Sequence, residues 1–119
     1  MKEIIYSKDA PEPVGPYSQA IFCGDTLYCS GQIAVGHLNS GISSQTEIAC
    51  TNVQAVLAAS AMNLCDVVKT TCFLADIADF AAFNEVYEKF FSHKPARSCV
   101  AAKALPKGAL VEIEVIAVK

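Results

Sequence analysis

A chain of 119 residues gives one ordinary domain room to bury roughly two-thirds of the surface its unfolded form exposes, so a core needs no staples. A net charge of −3 with no Lys/Arg cluster excludes nucleic acid as the expected main partner, and no apolar run reaches the ~18 residues of a membrane helix. Hydrophobic residues at 53% against charged residues at 18% imply apolar surface hidden in an oligomer.

The opening MKEIIYSKDAPEP lacks the apolar stretch of a signal peptide, so the cysteines are expected to be reduced in a cytoplasm. Cys23, Cys29, Cys50, Cys65, Cys72 and Cys99 form no CxxC pair and have no nearby histidine at zinc spacing, so most of them read as small core hydrophobes rather than metal ligands.

Glu3 to Ser7 is the first strand candidate, and Pro11 and Pro13 then forbid helix or central strand. Ser18 to Cys23 and Thr26 to Ile33 read as a hairpin about Gly24-Asp25, with Gly31 inside the second run marking a bulge or a close approach. After a loop from Val35 to Ser44, helical periodicity begins around Gln45 and should end near Asn63, with Ala49, Val53, Leu57, Ser60 and Leu64 on its more apolar stripe. Val67 to Leu74 reads as a buried strand. Asp76 caps a second helix with Phe80, Phe83, Tyr87 and Phe90 at helical spacing, and Pro95 stops it. The last two strands, Arg97 to Lys103 and Ala109 to Val118, are expected to pair as antiparallel neighbours across Leu105-Pro106-Lys107-Gly108.

The resulting order, βββαβαββ, fits an α+β sandwich of two layers, a mixed sheet with two long helices packed on one face. No linker or low-complexity tract interrupts it, so residues 1–119 are expected to form one domain.

In the final strand Val111, Ile113 and Val115 point one way and Glu112 and Glu114 the other. With helices over the first set, the two carboxylates lie on a bare face, either solvated or functional. Arg97 is the only arginine among nine basic residues. A planar guanidinium fork meets a carboxylate through two parallel hydrogen bonds, which lysine cannot reproduce. Two readings of Arg97 therefore stand open: a cross-strand ion pair with a glutamate, or a grip on an anionic ligand.

Gly15-Pro16-Tyr17-Ser18-Gln19-Ala20, Ser30-Gly31-Gln32-Ile33, Val68-Lys69-Thr70-Thr71, Pro95-Ala96-Arg97-Ser98, Leu105-Pro106-Lys107-Gly108-Ala109 and Glu112-Ile113-Glu114 follow one another in order. Together they resemble the reactive intermediate deaminase family, RidA/YjgF, over nearly the whole chain. The resemblance implies a chorismate-mutase-like fold of six strands and two helices. It also implies a homotrimer with clefts between subunits, and hydrolysis of 2-imino acids or their 2-aminoacrylate tautomers, released by pyridoxal-phosphate enzymes, to 2-keto acids and ammonia. No cofactor or metal is implied.

Carried over, the resemblance makes Arg97 the clasp for the substrate carboxylate and Glu112 the group that orients or deprotonates the attacking water. Cys99 would help hold that water through its backbone, and Tyr17, Ser30, Gly31 and Asn84 would shape the cleft. His37, His93 and Lys107 are read as solvated or turn residues, and Glu114 as structural. The chain departs from the family pattern before Pro95, where Ser92-His93-Lys94 is short and a lysine stands in place of the common aromatic. The rival readings are a trimer that binds a small keto acid without turnover, and the RNA-cleavage or holdase behaviour assigned to some members. The acidic balance weighs against RNA.

Overall fold

A computed structural model covering residues 1–119 resolves six strands and two helices: β1 (Lys2–Ile5), β2 (Ala20–Cys23), β3 (Thr26–Gln32), α1 (Ile42–Ala58), β4 (Val67–Leu74), α2 (Phe80–Phe90), β5 (Ala96–Ala101) and β6 (Val111–Val118). The strands form one mixed sheet in the order β1-β2-β3-β6-β4-β5, antiparallel everywhere except between β4 and β5. The expected α+β sandwich is the one observed, and β4 coincides with its predicted span.

The two-residue period of β6 decides which face is covered. Val111, Ile113, Val115 and Ala117 are buried in one cluster with Ala49, Cys50, Val53 and Leu57 of α1 and Phe83 and Tyr87 of α2, so both helices pack on one side. The other side stays open. Ile4, Ile21, Tyr28 and Ile116 stand level there as consecutive cross-strand partners, with Ile4 71% and Tyr28 51% exposed. No helix is long and apolar enough to cross a membrane.

The structure corrects the expected pairing of the last two strands. β5 and β6 are not neighbours, because β4 lies between them, parallel to β5 and antiparallel to β6. The connection from Ala102 to Leu110 is too long for a tight turn and steps over the end of β4. The Ala102 N–H donates to the Leu74 carbonyl at 2.8 Å and the Ala75 N–H to the Leu110 carbonyl at 3.0 Å.

Helix bounds also shift. α1 begins at Ile42, where Gln45 turns a fully buried amide inward: its Nε2 donates to the carbonyls of Leu38 (3.2 Å) and Ser40 (2.8 Å), and its Oε1 accepts from Leu110 N–H (3.0 Å). α1 stops at Ala58 because Ala61 adopts a left-handed φ of 56° and the Met62 N–H closes back on the Leu57 carbonyl. Asp76 caps a 3₁₀ turn, Ile77–Asp79, that leads into α2, and α2 ends at Phe90, well before Pro95.

Candidate functional site

Two clefts hold most of the site residues expected from sequence, and they lie on opposite faces of the sheet. The first, of about 640 Å³, opens on the uncovered face between the loop before β2, the β3 bulge and β6. Tyr17, Ser30, Gly31 and Glu112 all line it. The second, of about 440 Å³, lies where α2 ends and β5 begins, and Asn84 and Arg97 line it together with Tyr87 and Lys94.

In the first cleft the bulge between Cys29 and Gln32 interrupts the β3–β6 ladder and brings Ser30 and Gly31 to the wall. Ser30 is pinned: its N–H donates to the Gln19 carbonyl (2.9 Å) and its hydroxyl to the Ser18 carbonyl (2.6 Å). Gly31 leaves the space that the Glu112 carboxyl occupies, since a Cβ there would stand 2.9 Å from Glu112 Cγ. Glu112 is half-buried, and burial first and the neighbouring Glu114 second push its carboxyl above the usual carboxylate range. Tyr17 is half-exposed on the rim, in a loop fastened from below by Gln19. The buried Gln19 amide accepts from Ser7 N–H (2.6 Å) and donates to the carbonyls of Ser7 (3.1 Å) and Pro11 (2.9 Å).

In the second cleft Arg97 is half-buried on the helix-covered face of β5. Its Nη1 donates to Asn84 Oδ1 at 2.8 Å. Its guanidinium carbon lies 4.8 Å from the Tyr87 ring centre, 5.5 Å from Phe80 and 5.8 Å from Phe83, three aromatic faces that favour a cation. The Tyr87 hydroxyl is held by Thr70 Oγ1 at 2.7 Å, which fixes the ring under the arginine. Cys99 lines neither cleft. It pairs with Cys72 across the β4–β5 ladder, and burial raises its thiol despite the opposing charge of Arg97.

Arg97 and Glu112 do not meet within one protomer, so the cross-strand ion pair left open by the sequence is ruled out. Arg97 stands level with Thr70 and Glu112 level with Phe73, with β4 between their strands. Two strand spacings and three residues of rise separate their backbones by roughly 14 Å, with the side chains on opposite faces.

Gln19, Glu12 and Lys107 in the first cleft, and Lys94 and Tyr87 in the second, were not among the expected binding residues. Gln19 sits inside the Gly15–Ala20 motif, but a buried glutamine has no periodicity that announces it. Each cleft carries its own charge: Glu12, Glu112 and Glu114 outnumber Lys107 in the first, whereas Arg97 and Lys94 outnumber Glu88 in the second.

A family model described as endoribonuclease L-PSP matches residues 7–119. A RutC family protein of Pyrococcus horikoshii is 46% identical, the match covering 100% of this chain and 99% of that protein. TdcF of Escherichia coli K12, named as a candidate reactive intermediate deaminase, is 39% identical over 100% of this chain and 98% of its own. The crystal structure of E. coli TdcF with bound serine superposes with a TM-score of 0.93 at 38% identity, covering 98% of each chain.

Proposed function

The chain belongs to the RidA/YjgF family, and from that premise we propose that it is a hydrolytic deaminase converting small 2-imino acids and 2-aminoacrylate to 2-keto acids and ammonia. The observation that carries this reading is the state of Arg97. Its guanidinium is held by Asn84 and three aromatic rings on the wall of a cleft, and no carboxylate of its own protomer takes its remaining donors. An organic acid there would gain a charge-assisted, two-pronged contact.

The name of TdcF supports deamination, and serine bound to that protein supports a site for a small carboxylate. The trimer is the second part of the proposal. A site using both Arg97 and Glu112 needs a second copy, and opposite charges on the two clefts favour joining one protomer's arginine edge to another's glutamate cleft. The uncovered apolar row of Ile4, Ile21, Tyr28 and Ile116 supplies surface for that association.

In such a site Arg97 neutralises the carboxylate, so the substrate enters without an unpaired buried charge. Glu112 of the neighbouring copy accepts a proton from water as its oxygen bonds to C2. Glu112 passes that proton to the nitrogen, and the carbinolamine collapses when its hydroxyl proton follows by the same carboxylate: the C–N bond breaks, ammonia leaves, and the C=O of the keto acid forms. Positioning supplies much of the rate, because the imine is already electrophilic. Burial and the neighbouring Glu114 raise the Glu112 carboxyl, which makes its carboxylate a stronger base for that proton transfer.

The test is a coupled assay in which an amino-acid oxidase releases 2-iminobutyrate. The protein should accelerate 2-ketobutyrate formation and Arg97→Ala should not; equal rates with and without the protein would refute the reading.

A further inference from the structure

Lys94 shares the second cleft with Arg97. Its φ of +59° is unusual for a residue that is not glycine, and a residue followed by proline favours extended backbone instead. Two contacts hold the segment in that conformation. The Lys94 N–H donates to the Phe91 carbonyl at 3.1 Å, and His93 Nε2 lies 2.9 Å from the Val67 carbonyl. A sparsely populated conformation fixed from both sides at a cleft wall points to a use for the side chain it places there.

That use follows from charge. The chain carries −3 overall, yet two of its nine basic residues line this one cleft against a single carboxylate, Glu88. One guanidinium satisfies one carboxylate. Lys94 is then a second cation with no part in binding a monoanion.

We propose that the site prefers substrates with two anionic groups, 2-imino dicarboxylic acids, the α-carboxylate on Arg97 and the distal carboxylate on Lys94. Arg97 and Lys94 belong to the same protomer's wall, so the preference is independent of which copy closes the cleft. Only the reacting imine rests on the deaminase reading; the preference for dianions does not.

Two measurements separate these claims. Calorimetry compares binding of 2-oxoglutarate with 2-oxopentanoate, which lacks the distal carboxylate, and turnover is compared on 2-iminoglutarate and 2-iminobutyrate made by amino-acid oxidases. The wild type should favour the dianion roughly fivefold, the size of one partly screened ion pair. Lys94→Asn keeps a residue tolerant of left-handed backbone and removes the charge, so the ratio should fall to about one. Lys94→Arg should retain it, and added salt should shrink it. A wild-type ratio at or below one, or a ratio unchanged in Lys94→Asn, overturns the inference. Dianion-selective binding without turnover of either imine would support it while refuting deamination; turnover of 2-iminobutyrate with no dianion preference would do the reverse.

Discussion

Gly31 on the β3 bulge and Glu112 on β6 share one space: a Cβ built on Gly31 would stand 2.8 Å from the Glu112 Cδ. The glycine therefore serves proximity rather than a turn. Alanine at this position should displace the carboxylate or part the strands, lowering kcat/KM at least ~10-fold and stability by about 1–3 kcal/mol. In a Glu112→Ala background the same substitution should cost little stability, because the collision is gone. Thermal unfolding of the four proteins checks this; an equal cost in both backgrounds would contradict the contact.

Glu112→Gln keeps the shape but cannot accept a proton, so kcat should fall more than KM rises. Its effect on stability should run the other way. Burial, then Glu114, raises the Glu112 carboxyl, and a carboxyl raised in the fold stabilises while protonated. That contribution is present below the unfolded value of about 4.3 and is lost as pH rises through the folded value. In an Arg97→Ala background, where no guanidinium from a second copy offsets the charge, Glu112→Gln should raise Tm at pH 7 and leave it nearly unchanged below about pH 4. A lower Tm at pH 7 would count against the assignment.

Arg97→Lys retains charge but loses the planar fork and the stack on Tyr87, Phe80 and Phe83. Deaminase kcat/KM should drop on the order of 100-fold, with the oligomer unchanged by sedimentation. Activity within a few-fold of wild type would mean that simple positive charge suffices.

Tyr87→Phe keeps the ring beneath the guanidinium and takes away the tyrosine oxygen 2.7 Å from the buried Thr70 hydroxyl, leaving it only the weak Cys72 thiol contact at 3.9 Å. Unfolding free energy should fall by about 1–3 kcal/mol while kcat/KM changes little. A large loss of activity at unchanged stability would instead give the hydroxyl a role in the site.

The strands and helices were legible in the sequence because β6 alternates cleanly between Val111, Ile113 and Val115 on one side and Glu112 and Glu114 on the other, and because Ala49, Val53 and Leu57 repeat at helical spacing. The insertion of β4 between β5 and β6 was not. Two strands joined by a Pro-Lys-Gly stretch look like a hairpin until the hydrogen bonds of Ala75 and Ala102 carry the chain over the end of β4. Glycine inside β3 signalled a close approach, but only the fold identifies Glu112 as what approaches. Arg97 stood out as the single arginine, whereas the buried amides of Gln19 and Gln45 carry no pattern a sequence displays.

The central claim is that Arg97 of one protomer and Glu112 of another act on the same substrate. Arg97→Ala and Glu112→Gln proteins, each expected to retain little activity alone, are unfolded together in equal amounts and refolded. If every site pairs one copy's arginine with its neighbour's glutamate, random assembly leaves one site in four with both groups intact, and imine hydrolysis should return to about a quarter of the wild-type rate. No recovery of activity in a mixture shown to contain both chains in one oligomer would contradict the account.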